Sequence, residues 1–318
     1  MNHDMTDTAP HYRPIEELVP TQWQGNAIIA NGIRQNVLRT GGDKPPLLML
    51  HGFMESSVSW LRLARALAGR FDVIMPDARV HVHGRSEGGT SGFSPEILTD
   101  DALSLVEVLK LDQPVVLGHS NGAVTAYLMT VRQPDSVRAL VMEEPPAGGR
   151  PMPAVRQEML ESNNWYDEWM GWMHRLKTMP HAERVQSAAA RWPHSMPIPQ
   201  DETLWDEDDF VGNLESLAHF DISIFDTKID FWSLLNYLDQ AAHITCPMLL
   251  LTGEPMRGSL VTEDVVLTLM ERIPQLQWHQ IEGGGHILSR GRPFEQTFTT
   301  IDAFLDSVMF KRPNKAST

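Results

Sequence analysis

Residues 114–122 read PVVLGHSNG, and residues 123–132 continue as AVTAYLMTVR. The first stretch passes from a short apolar run straight into a glycine-flanked serine. The second carries apolar residues at helical spacing. Strand, sharp turn and helix in direct succession are what a GxSxG nucleophile requires: the serine sits in a strained turn with its hydroxyl exposed, and the flanking glycines remove side chains that would clash there. GxSxG alone is a weak pattern, and here its context makes it specific. The helix start also aims backbone N–H groups and the positive end of the dipole at the site. Ser120 is therefore the expected nucleophile.

Outward from this segment, short apolar runs bounded by Gly, Pro or Asp recur at 46–50, 71–75, 114–117, 139–142, 247–251 and 276–281. Helical patterns at 57–69, 95–110, 121–133, 262–273 and 293–309 alternate with them. This alternation predicts an α/β fold, a mostly parallel, doubly wound sheet covered on both faces. Asn31-Gly32, between two apolar segments, predicts a hairpin at the sheet edge. From 145 to 242 the alternation stops and then resumes, which predicts a helical cap (lid) inserted into a core made of 1–144 and 243–318. The cap region opens with a Pro/Gly-rich hinge and holds Trp165, Trp169, Trp172, Trp192, Trp205 and Trp232, six of the nine tryptophans. Tryptophans at such spacing are usually core, yet so many in one insertion also fit a lid over an apolar pocket. Residues 1–20 and 311–318 are polar or Pro-rich and are expected to be weakly ordered ends.

Charge and composition narrow the function. With 26 basic against 41 acidic residues the net charge is -15, which repels nucleic acid and anionic membrane surfaces. The single cysteine, Cys246, cannot form an internal disulfide. No stretch approaches a signal peptide's apolar region or a membrane span, so a soluble cytoplasmic protein is expected. A homo-oligomer is compatible with these numbers.

A serine hydroxyl needs a base beside it. His286 is in the suggestive setting, following LQWHQIEG and Gly283–Gly285 and preceding the last helix. At the carboxyl end of a strand, its loop reaches the edge where sites of parallel sheets gather. His51 and His119 adjoin backbone-critical positions and read as structural, while His81 and His83 fall in a loop with no partner set for a metal.

HGF at 51–53, PDARVHVHGRS at 76–86, GHSNG at 118–122 and GGGHILSRGRPF at 283–294 together resemble the α/β-hydrolase family. The resemblance implies an oxyanion hole built from the backbone N–H groups of Phe53 and Asn121, with Gly52, Met54, Trp192 and Trp205 about the substrate. One departure is that DARVHVHGRS is two residues longer than the family's DxRGxGxS segment.

The third member of a triad must orient the histidine. In most of the family this acid follows the seventh strand, where LLLTGEPMRGS places Met256. Glu254 lies close to that strand, and Glu263 and Asp264 already begin the next helix. The family's other location, the end of the sixth strand, holds VMEEPP, whose two carboxylates should point to opposite faces. Glu144 is the expected acid, with Glu143 and Glu254 as alternatives. A Ser-His-Glu triad laid out in this way is similar to the zearalenone lactonases. Haloalkane dehalogenases can place their acid there too but use an aspartate nucleophile.

The chemistry implied is two-step acyl transfer to Ser120 on a small hydrophobic ester or lactone, best matched by a zearalenone-type macrolactone, with no cofactor and no metal required. A carbon–carbon bond hydrolase and a slow-turnover, receptor-like hydrolase are the alternatives.

Overall fold

A computed structural model describes residues 13–79, 93–147, 165–191, 205–221, 223–224 and 237–309. Its strands are β1 (Gln24–Ala30), β2 (Ile33–Arg39), β3 (Pro46–Leu50), β4 (Asp72–Pro76), β5 (Val115–His119), β6 (Ala139–Glu143), β7 (Met248–Thr252) and β8 (Leu276–Gln280). They form one eight-stranded sheet in the order β1-β2-β4-β3-β5-β6-β7-β8. The pairs β1/β2 and β2/β4 are antiparallel and every other pair is parallel. The edge hairpin turns at Asn31 and Gly32, both with positive φ (46° and 72°), the conformation that an Asn-Gly turn tolerates.

The alternation of side chains along the strands divides the core in two. Leu47, Met49, Val115, Leu117, Val141, Leu249 and Leu251 face one hydrophobic cluster, and Leu48, Leu50, Val116, Leu140, Met142, Met248 and Leu250 face the other. Helices α2 (Leu61–Leu67) and α9 (Phe294–Met309) cover the first face. The second face is covered by α3 (Pro95–Val108), α4 (Asn121–Arg132) and α8 (Glu263–Arg272). Central strands are thus apolar on both sides, as a doubly wound sheet demands. The run at 276–281 departs from the expected buried strand: β8 is the sheet edge, and Gln277 to Gln280 are exposed on both of its faces.

Among the described residues between β6 and β7, the regular elements are helical. They include α5 (Trp165–Leu176), α6 (His181–Ala189) and α7 (Glu207–His219). Trp169 and Trp172 are core, and the Trp172 indole N–H donates to Ser187 Oγ at 2.8 Å, which joins α5 to α6. Asp206 caps α7 by accepting the Asp209 N–H, and Arg62 and Arg65 of α2 pair with Asp209 and Asp208 in its first turn. Residues 13–20 were expected to be loose, but Ile15 and Leu18 form the short helix α1 (Ile15–Leu18) and bury both apolar side chains against the core. Among the described residues no helix is long and apolar enough to cross a membrane.

A close backbone approach between α4 and β3 explains one glycine. A Cβ on Gly122 would lie 2.1 Å from the Leu50 carbonyl oxygen, whereas one on Gly171, in α5, would meet only the tip of Arg175 at 3.5 Å. Gly122→Ala is expected to cost about 2 kcal/mol or more, and Gly171→Ala to stabilise by about 0.5–1 kcal/mol, in urea unfolding. Equal effects of the two changes would contradict the packing.

Candidate functional site

The chain leaves β3 for β4 on one side and later returns to β5 on the other. The crevice at the carboxyl ends of β3 and β5 is therefore the topological switch point of the sheet, where ligands bind in folds of this kind. Ser120 follows β5 directly and is the N-cap of α4, with φ 51° and ψ -120°. A non-glycine residue there is strained by about 1–3 kcal/mol. The glycines on either side permit it: a Cβ on Gly118 would lie 2.3 Å from the Gly122 carbonyl oxygen. Strained non-glycine backbone occurs twice more at this edge, at Met54 (φ 66°) after β3 and at Glu144 (φ 50°) after β6.

Three elements bring the expected residues together. His286 lies in the loop after β8, with Nε2 3.0 Å from Ser120 Oγ and Nδ1 3.4 Å from Glu144 Oε2. All three side chains are buried. The second distance is long for a hydrogen bond. Glu144 is held from the loop after β7. Its Oε1 accepts the Gly253 N–H at 2.7 Å and the Ser259 hydroxyl at 2.6 Å, and its Oε2 accepts the Leu260 N–H at 2.7 Å. The loop after β7 thus cradles the Glu144 carboxylate. Burial pushes the Glu144 carboxyl up to about 7, and the bonds from Ser259, Gly253 and Leu260 together with the His119 charge oppose that rise.

The other candidate carboxylates are elsewhere. Glu143 points away from the His286 ring but is not solvated: its Oε1 accepts the N–H groups of Leu288 and Ser289 at 2.7 and 2.9 Å, clamping the histidine loop from behind. Glu254 is half-buried, binds the Gly283 N–H and pairs with Arg257. Glu263 and Asp264 open α8, and Met256 is 86% exposed.

Sequence reasoning left Glu55 and Arg290 out and gave His119 only a structural part. Glu55, fully enclosed, accepts the Gly52 N–H at 2.7 Å and the His119 Nδ1–H at 3.0 Å, and pairs with Arg290. The other ring nitrogen of His119 faces the His286 carbonyl oxygen at 2.9 Å. With an oxygen acceptor at each nitrogen, both must donate, so the ring is an imidazolium. Burial alone would push His119 down; the Glu55 and Glu143 charges outweigh it and raise it to about 9. Burial likewise pushes Glu55 up, yet the Arg290 and His119 charges hold it well below the usual carboxylate range. The signal available in sequence was a polar residue three positions after Gly52 in HGFMESS, which no spacing rule connects to His119 or Arg290.

This network explains the residues expected about the substrate. A Cβ on Gly52 would lie 2.8 Å from His119 Nδ1, so the glycine permits the network's contact, and His51 anchors the same turn through its Nδ1–H to the Gly52 carbonyl. Met54 is buried in the core. Asn121 begins α4 immediately after Ser120. The half-buried Phe53 ring meets Phe220 and Phe93 edge-on at 5.2 and 6.1 Å. Trp205 lies under the Arg290 guanidinium and lines a shallow cleft with His286, Ile287, Arg257 and Pro293. Trp192, His81 and His83, and the extended part of DARVHVHGRS, fall outside the described residues.

The family described as alpha/beta hydrolase fold matches residues 45–289. An epoxide hydrolase of Caballeronia sordidicola is 30% identical over 164 residues, covering 51% of this chain and 48% of that protein. The N-formylmaleamate deformylase of Pseudomonas putida is 31% identical over 128 residues, covering 39% and 46%. The chain thus spans about half the length of these curated relatives. Among solved structures, an N-formylmaleamic acid deformylase from Pseudomonas putida aligns with TM-score 0.67 at 24% identity, over 88% of this chain and 100% of that one. A naproxen esterase from Bacillus subtilis aligns with TM-score 0.67 at 16% identity, over 91% and 93%. At these identities the structural likeness speaks to the fold.

His119 gives this arrangement a pH signature. Because its value in the folded chain lies above the ordinary 6.5, the stability it contributes is complete below about 6.5 and is lost as pH rises through about 9. Urea unfolding from pH 6 to about 9.5 should show the parent losing stability relative to His119→Gln across that window. Parallel curves for the two proteins would exclude a protonated His119.

Proposed function

The chain belongs to the alpha/beta hydrolase fold family, and from that premise we propose that it is a serine hydrolase of carboxylic esters or lactones. The observation that carries this reading is the continuous chain Ser120 Oγ, His286 Nε2, His286 Nδ1, Glu144 Oε2, with separations of 3.0 and 3.4 Å. In the proposed reaction Ser120 Oγ attacks the ester carbonyl carbon as its proton passes to His286 Nε2. Glu144 stabilises the imidazolium that forms, and the N–H groups of Phe53 and Asn121 receive the oxyanion. The C–O bond to the leaving alcohol then breaks, and His286 returns the proton to that oxygen. Water, deprotonated by His286, releases the acid from the acyl-serine and restores Ser120.

A serine at position 120 favours carbonyl chemistry, in which an alkoxide and an acyl intermediate are the natural species. The aromatic cluster of Phe53, Phe93 and Phe220, which includes the ring of a residue assigned to the oxyanion hole, favours a hydrophobic acyl or lactone group over a sugar. Within that class, a Ser-His-Glu order with the acid after β6 supports a zearalenone-type macrolactone as the specific substrate. The similarity to an N-formylmaleamate deformylase makes an N-formyl amide the informative competitor. A panel of p-nitrophenyl esters, zearalenone, a vinylogous diketone and an N-formyl amide separates these readings. Turnover of esters or the lactone is expected; rapid turnover of the diketone alone or the amide alone would replace the ester assignment.

Substitution tests the assigned roles. Ser120→Ala and Glu144→Gln are each expected to lower kcat about 10³-fold or more, with an unchanged circular dichroism spectrum. Glu254→Gln should stay near the parent. Near-parental turnover in Glu144→Gln, with collapse in Glu254→Gln, would move the acid to the loop after β7.

The acid limb of the rate profile follows from Glu144. A carboxyl raised to about 7 becomes neutral as pH falls through that value, and a neutral acid no longer stabilises the imidazolium. Turnover is therefore expected to fall below about pH 7. Removing the Ser259 bond, which holds the carboxyl down, should move that limb to higher pH in Ser259→Ala. A limb that stays in place or moves down would separate it from Glu144.

A further inference from the structure

Away from the triad, the cap brings together three metal-ligating side chains. Glu215 and His219 are four residues apart on α7, and His181 is the first residue of α6. Glu215 Oε2 lies 3.3 Å from His181 Nε2 and 3.5 Å from His219 Nε2. The two imidazoles stack with centroids 4.5 Å apart and planes 26° apart, so both Nε2 atoms turn toward the same carboxylate oxygen. We propose that His181, Glu215 and His219 form a site for a zinc-class divalent cation that clamps α6 to α7.

Three observations carry this assignment. Ligands about 2.0–2.1 Å from a tetrahedral zinc ion are about 3.3 Å apart, which matches the two nitrogen–oxygen separations. Two imidazoles and a carboxylate suit zinc, cobalt or nickel, whereas magnesium and calcium prefer all-oxygen sets. The Glu215 side chain is 2% exposed, so the carboxylate that both imidazoles face is held out of bulk water. The His181 side chain is 47% exposed, which leaves the fourth coordination position open toward water.

The site is also tied to the segment after β3. Phe220, next to His219, carries the ring that meets Phe53, and Ser216, next to Glu215, is hydrogen-bonded through its hydroxyl to Ser56 and Ser59 beside the turn after β3. A bound cation would fix this end of α7 over that turn. The inference rests on the cap residues alone and stands apart from the acyl-transfer reading.

The test uses the full chain, without an affinity tag, dialysed against a chelator and then titrated with Co²⁺ while visible absorption is recorded. One equivalent is expected to bind with the d–d spectrum of a four- or five-coordinate ion and to be displaced by one equivalent of Zn²⁺. Zn²⁺ should also raise the thermal midpoint. His181→Ala, at a half-exposed helix start, and Glu215→Gln should each weaken binding about 100-fold or more and abolish the thermal shift. If Glu215→Gln fails to fold, His181→Ala decides alone. Absence of a spectrum, binding retained in His181→Ala, or a midpoint that responds to pH and not to Zn²⁺ would overturn the site and leave only an imidazolium–carboxylate contact.

Discussion

A carboxylate taken out of water must receive hydrogen bonds or positive charge, or it destabilises the fold by several kcal/mol. Among the described residues, Glu55, Glu143 and Glu144 are such groups, buried at the carboxyl edge of the sheet. Each recruits a different piece of chain. Glu55 binds the turn after β3, the end of β5 and Arg290. Glu143 binds Leu288 and Ser289, and Glu144 binds the loop after β7. Loops that would otherwise be independent are thereby tied to one another around Ser120 and His286. The catalytic roles proposed for Ser120 and His286 require this kind of support, because geometry loose by an ångström costs orders of magnitude in rate.

Position 144 joins this constraint to the chemistry. A residue after a strand with φ of 50° lies off the regular pleat, and that turn aims the Glu144 carboxylate at His286 while Glu143 stays on the opposite side. The donors from Gly253, Ser259 and Leu260 match the ionised carboxylate, while burial opposes it. The balance leaves a group that changes charge near neutrality, where a histidine partner is most sensitive to it. His119 pulls the other way: its positive charge sits behind the histidine loop and its N–H fixes the His286 carbonyl. Strain at Ser120 and desolvation at Glu144 destabilise locally and are held by the cores on the two faces of the sheet, whereas the protonated His119 contributes stability.

Much of this was legible in the sequence because it depends on short-range patterns. The central strands and their covering helices follow from apolar periodicity, and their observed bounds differ from the expected ones by a residue or two at most ends. The edge hairpin follows from Asn31-Gly32, and the strained turn at Ser120 follows from its two glycines. Glu144 was reached through a resemblance and through the methionine where the commoner acid position lies; nothing local in VMEEPP shows that Ser259 and Leu260 would hold it. The network of Glu55, His119 and Arg290 was illegible for the same reason, since it joins residues far apart in the chain whose only common property is where the sheet brings them. Edge status at β8 was missed because a strand next to a glycine run reads alike whether or not a helix covers it.

The central claim is that Glu144, held by the loop after β7, sets the tautomer of His286. It is tested most directly by ¹⁵N NMR of the chain labelled at histidine, with the His286 signals assigned by their disappearance in His286→Gln. Above the pH at which the ring loses its proton, Nδ1 is expected to be protonated toward Glu144 and Nε2 unprotonated toward Ser120, with that preference lost in Glu144→Gln. A neutral His286 carrying its proton on Nε2, or a tautomer unchanged by Glu144→Gln, would contradict it.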